Sequence, residues 1–417
     1  MSKTKPYIIS KKLVMEAYQQ VKENKGAAGI DQQSLEDFDK NLKDNLYKIW
    51  NRMSSGTYFP PPVKAVSIKK KSGGERILGV PTVSDRIAQM VVKLTFEPLV
   101  EPHFHKDSYG YRPNKSALDA VGITRQRCWE YDYLLEFDIR GLFDNLDWTL
   151  LMKAVRKHTD NKWVILYIER WLKALLQMPD GTLIERTRGT PQGSVISPVL
   201  SNLFLHYVFD VWMGKDHPGK PWCRYADDGL VHCRTEQEAK ELLISLTQRF
   251  EMCRLELHPE KTKIIYCKDG SRKSEYPQRS FDFLGYTFRS RVCKNIKRNS
   301  LFMSFTPAVS KEAMKSMRAH IRKSGIRNRA DLSLKEIAQK YNPILNGWIE
   351  YYGRYSRTAL SSVMVHFNKT LTAWAMCKYK KLKGRKTRAS LFIQKVQREN
   401  RQLFSHWKQG LGGIGFA

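Results

Sequence analysis

Two adjacent aspartates, Asp227 and Asp228, stand in the run Trp-Cys-Arg-Tyr-Ala-Asp-Asp-Gly-Leu-Val-His-Cys that extends from Trp222 to Cys233. The flanks read as two short strands, which puts the acidic pair at a hairpin tip. Side-by-side carboxylates repel one another unless a cation neutralises them. A hard divalent ion such as Mg²⁺ takes oxygen ligands and leaves room for water and substrate phosphates. A second acidic strand end lies upstream, where the apolar, β-prone run Tyr133–Ile139 carries Asp138 and leads into a turn with Gly141. Asp138 and Asp227 would bridge two ions, and Asp228 would support one ion or tune the pair. The chemistry predicted is phosphoryl transfer, in which the ions activate a 3′-hydroxyl and neutralise a leaving pyrophosphate during in-line displacement. Each piece alone also has a plainer reading, Asp-Asp-Gly as a turn and Asp138 as a helix cap.

Between the two acidic segments runs Gly189-Thr-Pro-Gln-Gly-Ser-Val-Ile-Ser-Pro-Val-Leu-Ser-Asn202. Its Gly and Pro residues let backbone approach a ligand, and Gln192 offers a nucleotide both a donor and an acceptor. In this order and spacing the three segments resemble motifs A, B and C of reverse transcriptases. More closely, they resemble the bacterial group II intron reverse transcriptase/maturase family. Asn24–Asp31 resembles the N-terminal block of that family, Arg76–Arg86 its fingers motif, Ser108–Pro113 the next block and Phe283–Tyr286 the closing motif of the palm. Seven blocks in order cover nearly the whole chain.

The resemblance implies an α+β, right-hand polymerase fold, with fingers and a palm built on antiparallel sheet, then an all-α thumb or X domain and a small basic C-terminal segment. It implies residues 1–131 as N-terminal extension and fingers, 132–290 as palm, 291–376 as helical thumb and 377–417 as a nucleic-acid-binding segment. Asp138, Asp227 and Asp228 would be metal ligands, helped by the Ile139 carbonyl, for two Mg²⁺ ions with Mn²⁺ as the alternative. Lys70 and Arg76 would hold the incoming triphosphate, and Gln192 would touch the nucleotide. Phe143 would stack under the sugar and exclude a 2′-hydroxyl, against a plainer role in core packing. Lys261 would act as general acid near the leaving group, against a plainer role as a solvated turn lysine. Arg112 would contact nucleic acid. The chain departs from the commonest family pattern at Ser194, which follows Pro-Gln-Gly where many relatives have Gly. It departs again at Lys69-Lys70-Lys71, which replaces a Pro-Lys-Pro setting.

Bulk properties point the same way. The chain has 417 residues, 72 Lys+Arg against 41 Asp+Glu and a formal charge of +31. At roughly 100–200 residues per domain, that length allows two or three domains. Such a charge calls for a polyanion. From Arg291 onward there are 27 basic residues and five acidic ones, so +22 of the +31 sits in the last third. The stretch Lys378-Tyr-Lys380-Lys381-Leu-Lys383-Gly-Arg385-Lys386-Thr-Arg388 has seven basic residues in eleven and reads as a phosphate-tracking arm. The seven cysteines are scattered without a Cys-x-x-Cys pair, which argues against a zinc site and for reduced thiols. No long apolar run predicts a membrane span, and the N-terminus lacks the apolar core of a signal peptide. A cytoplasmic, nucleic-acid-associated bacterial protein without the zinc-containing HNH endonuclease of longer relatives is expected.

Helical spacing appears at Val14, Ala17, Tyr18 and Val21, and Val63–Pro81 reads as strand, turn and strand. Three apolar stripes follow the palm: Val309/Ala313/Met317/Ile321, then Ile337/Tyr341/Leu345/Trp348/Tyr352 behind a Ser333–Glu336 capping box, then Leu360/Val363/Phe367/Leu371/Trp374. The partners expected are intron RNA as template and splicing substrate, a DNA target or primer, and dNTPs, with a dimer compatible and no membrane. Two alternatives stand beside an RNA-directed DNA polymerase that assists splicing and mobility. One is a splicing factor with a vestigial palm. The other is a domesticated relative in phage defence, against which the intron-like form of Gln192–Pro198 argues. A viral-type RNA polymerase shares the palm, but Phe143 favours deoxynucleotides.

Overall fold

A computed structural model describes residues 5–69, 74–295 and 297–412. The chain falls into two compact units, Met1–Ala120 with Leu135–Lys263, and Val121–Leu134 with Ile264–Ala417.

In the first unit, the N-terminal stretch read as helical forms three helices, Lys11–Asn24, Leu35–Lys40 and Leu42–Ser55. Val14, Ala17, Tyr18 and Val21 are the buried face of the first, as their spacing predicts. It packs on helix Val83–Val100, where Val83, Ile87, Ala88, Val91, Val92 and Phe96 are wholly enclosed. Thr82 caps that helix by accepting a hydrogen bond from Asp85 N at 3.1 Å.

Strands β1 (Val63–Lys69) and β2 (Glu75–Val80) form the expected antiparallel pair, with Ile68 opposite Arg76. With β3 as Tyr133–Asp138, β4 as Leu176–Gln177 and β5 as Leu183–Ile184, the first sheet runs β2-β1-β4-β5. The second sheet contains β6 (Trp222–Tyr225), β7 (Asp228–Cys233) and β8 (Lys263–Tyr266) in the order β6-β7-β3-β8, with β3 and β8 crossing the division between units. Thus β7, which begins at Asp228, lies beside β3, which ends at Asp138. The Phe137 ring of β3 packs at a tilt on Phe209, 5.1 Å away, and edge to face on Phe250, 5.7 Å away.

In the second unit, β9 (Ser280–Phe283), β10 (Tyr286–Asn295) and β11 (Ser300–Val309) form an antiparallel sheet in the order β11-β10-β9. The structure here differs from the all-helical expectation for 291–376, because helix begins only at Lys311. Tyr286–Asn295 and Ser300–Val309 pair residue for residue, so Arg291–Asn295 lies opposite Ser300–Ser304, and Val309, read as the first position of a helical stripe, closes β11. Its Leu-Phe-Met-Ser-Phe-Thr run carries the β-prone residues that the charge count obscured. From there on the stripes hold. Helices Lys311–Lys323, Leu334–Tyr352 and Ser361–Lys378 enclose Met317, Ile321, Ile337, Tyr341, Leu345, Phe367, Leu371 and Trp374 in one core. The Ser333–Glu336 capping box is formed, and Pro343 sits inside its helix.

The last residues were expected as a small appendix and are instead part of this core. Helices Lys386–Glu399 and Ser405–Lys408 contribute Ala389, Ile393, Phe404, Trp407 and Leu411 to it. Apolar burial outweighs the seven-charge run ahead of them, whose Lys380, Lys381, Lys383, Arg385, Lys386 and Arg388 stay exposed. No described helix is long and apolar enough to cross a membrane.

Candidate active site

The acidic tip is a two-residue hairpin turn. Tyr225 pairs with Asp228 across β6 and β7, so Ala226 and Asp227 are the turn residues. Ala226 holds φ +56°, a left-handed conformation disfavoured for a residue with a Cβ. Asp138 reaches the same place from the end of β3, with its carboxyl in hydrogen-bonding reach of Asp228. Burial, reinforced by the nearby Asp227 and Asp138 charges, pushes the Asp228 carboxyl up to about 8. Burial also raises Asp227, with Asp138 adding to the shift. These are the marks of clustered carboxylates with too little positive charge around them.

Among the described residues, Lys261 makes an ion pair with the cluster. Lys261 Nζ lies 3.1 Å from Asp138 Oδ2. Its position follows from main-chain pairing: His258 N donates to Asp138 O at 2.8 Å, Arg140 N donates to Glu256 O at 2.9 Å, and Ile139 bridges Leu257. Ile139 is thereby held in a main-chain bridge next to Asp138.

The Gly189 loop meets the other flank. A Cβ on Gly189 would stand 2.6 Å from the Phe143 and Asp144 carbonyl oxygens, so only glycine lets the two segments touch. Gly189 has φ +78°, and Thr190 N donates to Phe143 O at 2.6 Å. Phe143 itself is buried in the short helix Leu142–Asn145. Gln192 Oε1 accepts a hydrogen bond from Arg76 Nε, and its Nε2 donates to Asp144 Oδ2 at 3.2 Å. Gly79 N fixes the Gln192 carbonyl at 2.7 Å. Arg76, Gln192 and the Phe143 segment are thus brought together, while Lys70 lies outside the described residues.

Two expected nucleic-acid contacts turn out to be internal braces. The Arg112 side chain is only 6 % exposed and pairs with Glu101 at 2.7 Å. It also donates to the His105 and Ser108 carbonyls, each at 2.7 Å, which leaves its donors occupied and none for a phosphate. Lys378 Nζ donates to the Ala330 and Leu332 carbonyls at 3.0 and 2.9 Å. The neighbour of Arg112, Tyr111, is a residue the sequence reading passed over. It is half exposed, and burial together with the nearby Asp227 charge raises its hydroxyl while the Arg76 charge lowers it. Its signal was its place in Ser108–Pro113, a block that otherwise supplies braces.

Among the described residues no three His, Cys, Asp or Glu side chains close around a point as a structural metal cage does. The donor set nevertheless suits Mg²⁺. That ion is held by one or two carboxylates plus substrate phosphates and water rather than by an all-protein cage. The carboxylates clustered at the end of β3 and at the β6–β7 turn are of the kind that would supply such ligands.

Comparison with known proteins places the chain in a family. The reverse transcriptase (RNA-dependent DNA polymerase) family matches residues 68–288, and the group II intron, maturase-specific domain matches residues 314–391. The chain is 25% identical to the group II intron-encoded protein LtrA of Lactococcus lactis subsp. cremoris over 83% of this chain and 69% of that protein. It is 30% identical to Protein YkfC of Escherichia coli (strain K12) over 59% of this chain and 73% of that one. A putative COX1/OXI3 intron 1 protein of Saccharomyces cerevisiae is 27% identical over 69% of this chain and 34% of its own length. With the acidic hairpin, the Pro-Gln-Gly loop and the helical unit behind them, this chain belongs to the reverse transcriptase family, as an RNA-directed DNA polymerase that carries a group II intron maturase-specific domain.

Proposed function

We propose that Asp138, Asp227 and Asp228 seat two divalent cations, and that the chain copies intron RNA into DNA at that seat while its helical unit grips the RNA and assists its splicing and mobility. The observation that carries this reading is the meeting of three carboxylates from adjacent strands with Lys261 as the cation against them. When bound, the cations would activate the primer 3′-hydroxyl and neutralise the leaving pyrophosphate. The chain's own residues do the rest. Arg76 presents a planar fork to the triphosphate of a dNTP, and Gln192, tied to both Arg76 and Asp144, orients the base and sugar. The Phe143 ring limits the space at the sugar 2′ position. Lys261, 3.1 Å from Asp138, is placed to give a proton to departing pyrophosphate. The fingers, palm and thumb of a right hand then correspond to 1–131, 132–290 and the helices from Lys311.

Primer extension tests the reading. Purified protein, a primed RNA template, dNTPs and Mg²⁺ should give full-length DNA. The Asp138→Asn variant should give none, yet should still promote splicing of the intron RNA that the wild type assists. A wild type that assists splicing but never extends a primer would instead make the chain a splicing factor with an inert palm.

A further inference from the structure

Arg224 stands two residues before the turn residue Ala226, yet its side chain is fully buried. A buried guanidinium must find partners for its charge and its donors. Arg224 Nε and Nη2 donate to the two oxygens of Asp210 at 2.9 and 2.7 Å. Its Nη1 donates to Asn202 Oδ1 and to the Ala226 carbonyl, each at 3.2 Å. Asn202 Nδ2 in turn donates to the Gly110 carbonyl at 2.7 Å. Gly110 itself presses on the turn, because a Cβ there would stand 2.4 Å from Ala226 N. The main chain closes the ring: Arg224 N donates to Asp107 O at 3.0 Å, and Tyr109 N donates to Arg224 O at 2.8 Å.

Asp210 reaches this point through a local irregularity. The helix Ser197–Leu205 passes into the single π-turn His206–Asp210. One residue of helix corresponds to about 100° of rotation, so the wider turn decides which way the Asp210 carboxylate faces. The Ala226 conformation is disfavoured for a residue with a side chain and persists only where its surroundings over-determine it. The buried donors aimed at its carbonyl are such surroundings.

We propose that Asp210, Arg224 and Asn202 form a positioning clamp that holds the Ala226 carbonyl, and with it the left-handed turn, in the one conformation that presents Asp227 and Asp228 together to bound cations. The clamp touches neither nucleotide nor ion. It rests on the reading of Asp227 and Asp228 as cation ligands and adds what fixes their geometry.

The test separates positioning from stability. In the double variant Asp210→Leu/Arg224→Met, apolar side chains replace the ion pair, an exchange that buried pairs often tolerate. The double variant is expected to melt near the wild-type temperature and to bind primed RNA as the wild type does. Its Mn²⁺ affinity, measured by calorimetry without nucleotide, should fall by about 10–100-fold, the usual effect of losing a group that orients a metal ligand. The Mg²⁺ concentration for half-maximal extension should rise in parallel. Asn202→Ala leaves the ion pair intact and should shift both metal readouts in the same direction by less, so the test survives if the double variant does not fold. A folded variant with wild-type Mn²⁺ affinity and Mg²⁺ requirement overturns the clamp, as does a loss of metal affinity that only follows the unfolded fraction. Asp227→Ala serves as the reference. If it keeps wild-type Mn²⁺ affinity and extension, the cation-ligand reading itself fails. If it loses both while the clamp variants keep them, only the clamp fails.

Discussion

At the scale of single residues, the chemistry was legible wherever residue type and sequence neighbours decide it. Asp227 and Asp228 could be placed at a hairpin tip because strand-prone residues flank them, and Asp138 at a strand end for the same reason. Their shared location could not be read that way, since the adjacency of β7 and β3 depends on pairing between segments about 90 residues apart. Residues whose meaning depends on a distant partner were misread. Arg112 looked like a phosphate contact, but Glu101 and two carbonyls saturate it. Arg224 carried no signal at all, because Asp210 and Asn202 become its partners only on folding. Phe143 remains the sharpest test at this scale. Its ring is buried beside the Thr190 contact. Phe143→Ala should raise the efficiency of ribonucleotide incorporation relative to deoxynucleotide by about tenfold or more, the scale at which pocket volume discriminates substrates. Competitive single-nucleotide extension reads this ratio. An unchanged ratio would leave the ring with a packing role only.

At the scale of elements, the helices announced themselves through apolar spacing and caps, as the Ser333–Glu336 box shows. The hairpin of β10 and β11 did not, because its basic composition resembled the helices that follow it. The C-terminal segment was misread for a related reason, since a run of charge masked Ile393, Phe404 and Trp407. That segment holds a built-in pH dependence. His406 and Trp407 Nε1 both reach Asn368 Oδ1, at 2.8 and 2.9 Å, so His406 Nε2 is the donor and Nδ1 is bare. Nδ1 has no hydrogen-bond partner among the described residues, and burial pushes the ring down to about 3. The unfolded chain therefore binds the extra proton first. Stability attributable to His406 is complete above the ordinary histidine range and is lost as pH falls from about 6.5 towards 3, with a limiting slope of about 1.4 kcal/mol per pH unit. Urea unfolding followed by tryptophan fluorescence should show this slope in the wild type and a shallower one in His406→Gln. Identical slopes would contradict the assignment.

At the scale of the whole molecule, charge and chemistry occupy different parts of the chain. Most of the +31 lies beyond residue 291, and the acidic cluster lies before it. Composition alone made this division visible. The boundaries of the two compact units were not visible, because Val121–Leu134 joins the C-terminal unit across more than a hundred intervening residues. The exposed run Lys380, Lys381, Lys383 and Arg385 should set the salt dependence of RNA binding. Replacing all four with Gln should flatten the slope of log K against log salt by about three, close to 0.7–0.9 for each phosphate no longer neutralised. An unchanged slope would move the grip elsewhere.

The division also supplies the most direct test of the central claim, that the three carboxylates carry nucleotide addition and not RNA affinity. Single-nucleotide extension and RNA binding should be measured on the same preparation of Asp227→Asn. Extension should fall by about 10³-fold or more, equivalent to roughly 4 kcal/mol of lost transition-state stabilisation, while RNA affinity stays at the wild-type value. Extension at the wild-type rate, or a loss of extension matched by an equal loss of RNA affinity, would contradict the account.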